Sequence, residues 1–469
     1  MFKTRLFKAP LLVGAAMLLP LSAVFASDPP GEEPRLGYDR ITQDDITNGS
    51  MTLLEIRKAG RNVFSTPFNK LDGYGDGPMN GADTTAPGGR PTLQNNGTYL
   101  RINGLDGQTC IECHSVLSNA TVPFTFGVGG VGGSATNAMA GPTYIDVADD
   151  DGVGYATYNG RFINPPFLFG TGGVELLGKE MTTELQALKQ HALDNPGQIV
   201  ALDTKGVHFG TITSDGVTVD TSNVEGINDD LVVRPFGRKG EFISTRQFDI
   251  GAMAFHFGMQ AVEDVGEGVD ADGDGVVNEI LEGELSALAI FNTTMERPRI
   301  VPEPGAYQGF QIFNQIGCAD CHKPVLNTNS RWLTHASPEV DTDPSANVYY
   351  QVKLTRNPTG FDSNRQGGVE VPLFADLKRH DMGPGLAEST GAPEASEFTT
   401  ARLWGVADTA PYLHDGRAQT LTDAILMHGG EAQGARDNFA ALNDDQKKKV
   451  LAVLRSLRTP ESVGSDLDD

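Results

Sequence analysis

Cysteine is scarce in this chain, four residues in 469, and none stands alone. All four fall in two C-x-x-C-H runs, Cys110-Ile111-Glu112-Cys113-His114 and Cys318-Ala319-Asp320-Cys321-His322. If both runs carry a cofactor, no thiol remains for chemistry by the protein itself. Basic residues are also short: 36 lysines and arginines face 61 aspartates and glutamates, a formal charge of −25. So acidic a chain is not expected to bind nucleic acid. Beyond the N-terminus no run of about 18 apolar residues occurs, so no membrane span is expected there. Tryptophan is limited to Trp332 and Trp404. Core packing is the first expectation for each, and a place between redox centres the second.

The C-x-x-C-H run is the attachment site of c-type haem. Its thiols form thioethers to the haem vinyl groups, and the adjacent histidine ligates the iron from one side. A zinc site, a redox C-x-x-C or a disulfide would leave the repeated histidine unexplained. Two covalently bound haem c groups are therefore expected. One is held by Cys110, Cys113 and His114, the other by Cys318, Cys321 and His322.

Lys3, Arg5 and Lys8 precede an apolar stretch from Leu11 to Leu21, and Val24-Phe25-Ala26 fits a cleavage site before Ser27. Residues 1–26 thus read as a signal peptide. Export suits c-type haem, which is attached outside the bacterial cytoplasm, and a periplasmic location is expected. Losing those three basic residues takes the formal charge from −25 to −28. An acidic surface would steer a small basic electron donor as readily as it keeps the molecule soluble.

The remaining length predicts two or three domains. The spacing predicts a helix over 307–316, with Phe310, Phe313 and Ile316 near one face and Gly317 ending it just before Cys318. Asn443-Asp444-Asp445-Gln446 reads as a cap, opening a helix with Val450, Leu451, Leu454 and Leu457 on one side. A helix before the haem run and another closing the domain is the small cytochrome c arrangement, placed at 300–460. The first haem run is less regular. A helix is expected over 51–63, then a glycine-rich loop, and after the haem a long elaboration with glycine clusters such as 127–133, β-prone runs and one helix near 180–192. The expected fold is mainly α: two cytochrome c-like haem domains with a loop-rich, partly β insertion in the first. The expected bounds are 27–245 for the N-terminal haem domain, 246–299 for inter-domain helices, 300–460 for the second haem domain and 461–469 for an acidic tail.

Between the haem runs, Asp270, Asp272 and Asp274 stand at positions 1, 3 and 5 of a calcium-loop pattern, followed by Gly275. Position 12 is Leu281, so Glu279, Glu282 or Glu284 must supply the last carboxylate. An acidic turn leading into a helix over 282–291 is the plainer alternative. One calcium ion is favoured, because three converging carboxylates repel one another without a cation.

Further motifs converge on one likeness. They are Phe68-Asn69-Lys70-Leu71-Asp72-Gly73-Tyr74-Gly75-Asp76-Gly77-Pro78, Phe236-Gly237-Arg238-Lys239, His380-Asp381-Met382-Gly383, Leu403-Trp404-Gly405, Pro411-Tyr412-Leu413-His414-Asp415-Gly416-Arg417 and His428-Gly429-Gly430-Glu431-Ala432. Together they resemble the di-haem oxidoreductase family, a peroxidase-like group also called thiol oxidoreductases. That group is related to bacterial di-haem cytochrome c peroxidases and to the di-haem enzyme of methylamine utilisation. The resemblance is densest in the C-terminal domain and thin over 118–230. It implies a C-terminal haem that accepts single electrons from a small donor protein, a cytochrome c or cupredoxin. It implies an N-terminal haem that reduces hydrogen peroxide, and a homodimer. The thiol label fits poorly, since no cysteine is free.

His114 and His322 are the expected proximal ligands. For the second haem, Met382 in its glycine-flanked loop and His428, inward on the 421–428 periodicity, compete for the distal position. His414 and Arg417 are assigned to the haem surround and its propionates. Leu413 stands where relatives often carry methionine, so that slot offers no thioether. For the first haem, His256, in the apolar segment 253–260, is the candidate removable ligand or proton shuttle. His191 and His208 are weaker choices, expected to be exposed. The leading function is a periplasmic di-haem peroxidase. The alternatives are a non-enzymatic electron carrier and an oxidase of a protein or organic substrate acting through a high-valent haem.

Overall fold

Polar residues that close the first turn of a helix set several of the boundaries. Thr42 with Asp45, Thr52 with Glu55 and Asn443 with Gln446 form reciprocal capping boxes, each satisfying two backbone donors. The computed structural model describes residues 32–75, 92–93, 98–99, 109–112, 114, 144–148, 157–161, 164–388, 395–461 and 467. The expected signal peptide, the 127–133 glycine cluster and Cys113 lie outside them. The described helices are α1 (Gln43–Thr47), α2 (Leu53–Ser65), α3 (Thr171–Asp194), α4 (Thr245–Ala252), α5 (Val262–Val265), α6 (Glu282–Thr293), α7 (Ala306–Gln315), α8 (Cys318–Cys321), α9 (Leu421–Leu426), α10 (Gln433–Ala441) and α11 (Asp444–Arg455). Among the described residues helix outweighs strand, 35% against 15%.

Two helix pairs organise the interior. In the first, α2 buries Ile56, Gly60, Val63 and Phe64 against α6, which is apolar nearly all round and buried along almost its whole length. A Cβ on Gly60 would lie 2.1 Å from the Ala287 carbonyl oxygen, so glycine sets how closely these helices cross. In the second, α7 packs on α11, and a Cβ on Gly309 would lie 1.9 Å from the Lys449 carbonyl oxygen. Phe313, Ile316, Phe374, Phe439, Val450, Leu454 and Leu457 form a small core around this second pair. The larger core spans residues 46 to 377 and also takes in Trp404 and Leu467. Both cores lie within one compact unit, Pro34–Asp469.

α3 is twice the length that its periodicity announces. Its first half contains Gly172, Gly173 and Gly178, which read as breaks in a sequence. Here they are sites of close approach: a Cβ at Gly172 would meet the Thr293 carbonyl at 2.2 Å, and one at Gly173 would meet the Phe361 ring at 2.6 Å. The second half packs on an antiparallel sheet of three strands, 200–204, 207–214 and 219–224, in sequence order. Val200, Leu202, Val207, Phe209 and Ile212 are its buried residues, while His208 is exposed beside Asp203. His191 is exposed near the end of α3. The remaining sheets among the described residues are two-stranded. No described helix is long and apolar enough to cross a membrane.

Candidate functional site

The second C-x-x-C-H run forms a single helical turn. Gly317, at φ +93°, makes the corner between α7 and α8, and the His322 amide closes on the Cys318 carbonyl at 3.0 Å. The His322 Nδ1 donates to the Phe374 carbonyl at 3.0 Å; a carbonyl can only accept, so this fixes the tautomer and leaves Nε2 as the ligand nitrogen. His428, just past α9, is held the same way: its Nδ1 donates to the Ala424 carbonyl at 2.8 Å. The two rings stand 6.4 Å apart between centroids. That is about the separation of two imidazoles on opposite sides of one metal ion, given metal–nitrogen bonds of roughly 2 Å. Burial pushes His322 down to about 4 and also lowers His428, so both rings are neutral, as ligation requires. Leu421 and Ile425 of α9 pack on the small core beside this pair. A haem ligated by His322 and His428 fits these residues. Met382 is half-buried, with its backbone carbonyl against Gly429.

The first run has a similar beginning. Residues 110–112 form a 3₁₀ turn, and the His114 amide closes on the Cys110 carbonyl at 2.7 Å. The His114 Nδ1 donates to the Pro166 carbonyl at 2.8 Å, again leaving Nε2. Burial pushes this imidazole down to about 4, and His256 lies close enough to depress it further. A second histidine thus lies near each of these histidines, at a ring separation of 6.4 Å for His322 and His428. His256, however, sits on a different support. α4 runs on into a π-helical stretch over 253–257, ended by Gly258 in the left-handed conformation. Such a turn shifts side chains out of α-helical phase and recurs at functional sites.

The glycine-rich motif before Cys110 cradles that turn. Gly75 donates its amide to the Phe257 carbonyl at 2.9 Å, and the Phe68 ring lies 5.5 Å from Phe257. Asp72 ties the motif together by accepting the backbone amides of Arg35, Leu36 and Asn69. Gly73, at φ +94°, lies against Glu279, where a Cβ would approach within 2.3 Å.

Glu279 also joins the acidic loop to the His256 turn, because its Oε2 accepts the Gln260 amide at 2.7 Å. Carboxylate oxygens of Asp270, Asp272 and Asp274 lie within 4.8 Å of one another. Glu279 is 2% exposed, and neither its Oε1 nor the buried Asp272 Oδ2 has a hydrogen-bond partner. Burial, then the neighbouring carboxylates, push Glu279 up to about 8 and Asp272 up to about 6. Orphaned buried carboxylate oxygens in a loop of hard ligands fit a cation such as calcium.

The Pro411–Arg417 motif reaches toward the first haem run. Asn164 donates its side-chain amide to the carbonyls of Pro411 and Leu413, and its backbone amide to the His414 carbonyl. Two residues on, Pro166 accepts from His114. The His414 ring stacks on Phe398 at 4.3 Å, with the Lys239 ammonium 3.7 Å from the Phe398 ring centroid on the 236–239 motif. Burial pushes His414 down to about 4. Arg417 is 41% exposed and bonds Asp415 and the Gly385 carbonyl. His380 is ion-paired to Asp376 and Glu431. Against the downward push of burial, these partners hold it up at about 11. Cys321, Asp376 and His380 could hold a metal ion by proximity, but a haem thioether would consume the Cys321 sulfur.

A buried polar network beside α4 has no local signature in the sequence. Glu175 and Lys179 of α3 pair at 2.7 Å, Glu339 bonds Ser244, and Arg246 pairs with Glu263. Asp249 accepts two hydrogen bonds from Asn292, and burial holds its carboxyl well above the usual range. These residues are scattered over more than 160 positions, so no local motif reveals them. Trp404 is core and Trp332 is surface, 2% and 44% exposed.

Comparison with known proteins agrees with this geometry. Residues 363–457 match the di-haem oxidoreductase family, described as "Di-haem oxidoreductase, putative peroxidase". The matched segment contains His380, Trp404, the Pro411–Arg417 motif and His428. Two curated relatives come from Denitromonas iodatirespirans. Cytochrome-c peroxidase IdrP1 is 24% identical over 171 residues, 34% of this chain and 42% of that protein. Cytochrome-c peroxidase IdrP2 is 25% identical over 185 residues, 39% of this chain and 47% of that protein. The match thus spans less than half of either relative. Among solved structures, a MauG-like protein associated with microbial copper homeostasis covers 91% of this chain and 93% of its own at 13% identity, with a TM-score of 0.33. The Kuenenia stuttgartiensis hydrazine synthase covers 38% of this chain and 55% of its own at 17% identity, with a TM-score of 0.22. Both scores are too low to fix the fold.

Proposed function

We propose that this chain is a periplasmic di-haem c-type oxidoreductase that reduces hydrogen peroxide with electrons from a small donor protein. The observation that carries the reading is the asymmetry of the two histidine pairs. His428 stands just past α9 with its Nδ1 on the Ala424 carbonyl, and His256 lies within a π-helical turn against which the 68–75 motif packs. The haems, when bound, supply the one-electron chemistry. His322 and His428 hold the electron-accepting haem, and His428, not Met382, is its second ligand. His114 holds the reactive haem. His256 would be the second, removable residue at that haem and would carry a proton for cleavage of the O–O bond of peroxide. Two electrons and two protons convert one peroxide to two waters. The four acidic residues Asp270, Asp272, Asp274 and Glu279 bind calcium and brace the turn that carries His256.

The test is a reductive titration followed by peroxide. The expected result is that the half-reduced protein loses one low-spin haem signal, then consumes peroxide with two donor electrons per molecule. The family resemblance also allows a simple electron carrier. Two haems that stay six-coordinate and low-spin at every potential, with no peroxide reaction, would establish the carrier and overturn the peroxidase reading.

A further inference from the structure

Arg402 forms no ion pair and no hydrogen bond among the described residues. Its guanidinium instead lies over the Phe236 ring, 5.9 Å from the centroid. Burial alone pushes it down to about 10. Arg402 is half-buried, and a partly desolvated guanidinium without an anion is unfavourable, because desolvation of a charge is offset only by pairing. Two residues on, Trp404 is 2% exposed, and its Nε1–H has no acceptor either. Leu403, between them, packs into the small core beside His322 and His428. Arg402 and Trp404 are placed by their contacts on the other side, Arg402 over the Phe236 ring and Trp404 against the Phe361 ring. Phe236 and Trp404 both belong to the larger core.

The route from there to the first haem run is aromatic. Phe236 bridges to Phe242 through the backbone, Phe242 meets Phe248 edge-on at 5.4 Å, and Phe248 meets the His114 ring edge-on at 6.4 Å. Two unmatched donors thus sit with the larger core, against which Cys110 also packs. Together a guanidinium and an indole N–H suit a carboxylate.

We propose that Arg402 and the indole N–H of Trp404 bind a propionate of the haem attached through Cys110 and His114. This rests on the di-haem reading above and adds a residue pair that no motif indicated. The segment would then clasp that haem from the same stretch of chain whose Leu403 packs beside the other haem.

The experiment is potentiometry of the intact holoprotein, wild type against Arg402→Gln, Arg402→Lys and Trp404→Phe. The haem whose spectrum responds to His256→Ala identifies the N-terminal signal. Arg402→Gln should lower the midpoint potential of that haem and leave the other unmoved, since a cation beside a propionate favours the reduced form. Arg402→Lys should restore most of the potential, and Trp404→Phe should produce a smaller fall. If Arg402→Gln does not fold, a Trp404→Phe potential equal to wild type overturns the pair. An unmoved potential in a folded Arg402→Gln protein, or a shift confined to the C-terminal haem, also overturns it. Haem content separates this from the underlying reading: fewer than two haems per wild-type chain sinks the di-haem assignment, whereas two haems with unmoved potentials sink only the propionate pair.

Discussion

The two haem regions share a plan and differ in how tightly they follow it. Each has a helix upstream of C-x-x-C-H that crosses a partner at a glycine, α2 on α6 at Gly60 and α7 on α11 at Gly309. Each C-x-x-C-H histidine donates Nδ1 to a carbonyl and has a second histidine in its neighbourhood. In the C-terminal region two residues separate α7 from Cys318, whereas 44 separate α2 from Cys110. The short connection ties the second haem run directly to a helix. Around the first run, the motif at 68–75 and the acidic loop both contact the π turn that carries His256. The proposed division into a relay and a reaction site rests on this difference in support.

Removing the second histidine from each pair should break the symmetry most strongly. His256→Ala should leave the N-terminal haem with an open position in the resting protein, visible as a high-spin signal before any reduction. Peroxide turnover should fall by about 10²–10⁴ if His256 carries the proton. His428→Ala should instead open the C-terminal haem and slow reduction by the donor, while peroxide still reacts with protein reduced chemically. Stopped-flow spectra of both variants, with donor and with dithionite, check this. Equal effects of the two substitutions on the peroxide step would remove the distinction between the regions.

How much of this was legible follows from how local each feature is. The α7 and α11 boundaries, the Asn443 cap and both haem runs are written in contiguous residues, and the structure places the helices within one or two positions of expectation. The full length of α3 was hidden because Gly172 and Gly173 mean close packing here, and only the partner that approaches them distinguishes that from a break. His428 could be proposed from periodicity, but its relation to His322 depends on how α9 docks. Arg402 gave no signal at all: what marks it is an absent partner, and an absence is visible only once the neighbours are placed.

Calcium sharpens the comparison at smaller amplitude, since among the described residues the acidic loop contacts the turn that carries His256. Chelation should lower the melting temperature of the holoprotein and disturb the His256-side haem spectrum alone. Readdition at a hundredfold excess over the dissociation constant should return about 2.7 kcal/mol. Asp272→Asn with Glu279→Gln should abolish that gain, and should make the metal-free protein more stable than metal-free wild type, because two buried carboxylates with orphaned oxygens are neutralised. Calorimetry with and without calcium checks both signs. A metal-free variant less stable than its parent would show that these carboxylates serve the fold without a cation.

The smallest effects should come from the two helix crossings, where distance alone gives the wrong order. Gly309→Ala looks worse, since its Cβ would lie 1.9 Å from a backbone oxygen against 2.1 Å for Gly60→Ala. Each is overpacking, which typically costs about 1–3 kcal/mol. The partners differ in their freedom to move. α6 is buried on nearly every side, so the chain opposite Gly60 cannot retreat, and Phe291 Cβ closes in at 2.6 Å as well. α11 has an exposed face and can shift outward, relieving the contact at Gly309. Gly60→Ala should therefore be the more destabilising of the two by thermal melting. The haem spectra should show the opposite order. α7 leads through only two residues into Cys318, so a displaced α7 should carry its haem with it, whereas 44 residues lie between α2 and Cys110. A Gly309→Ala protein with an unaltered C-terminal haem spectrum would mean that the short connection does not transmit helix position to the haem.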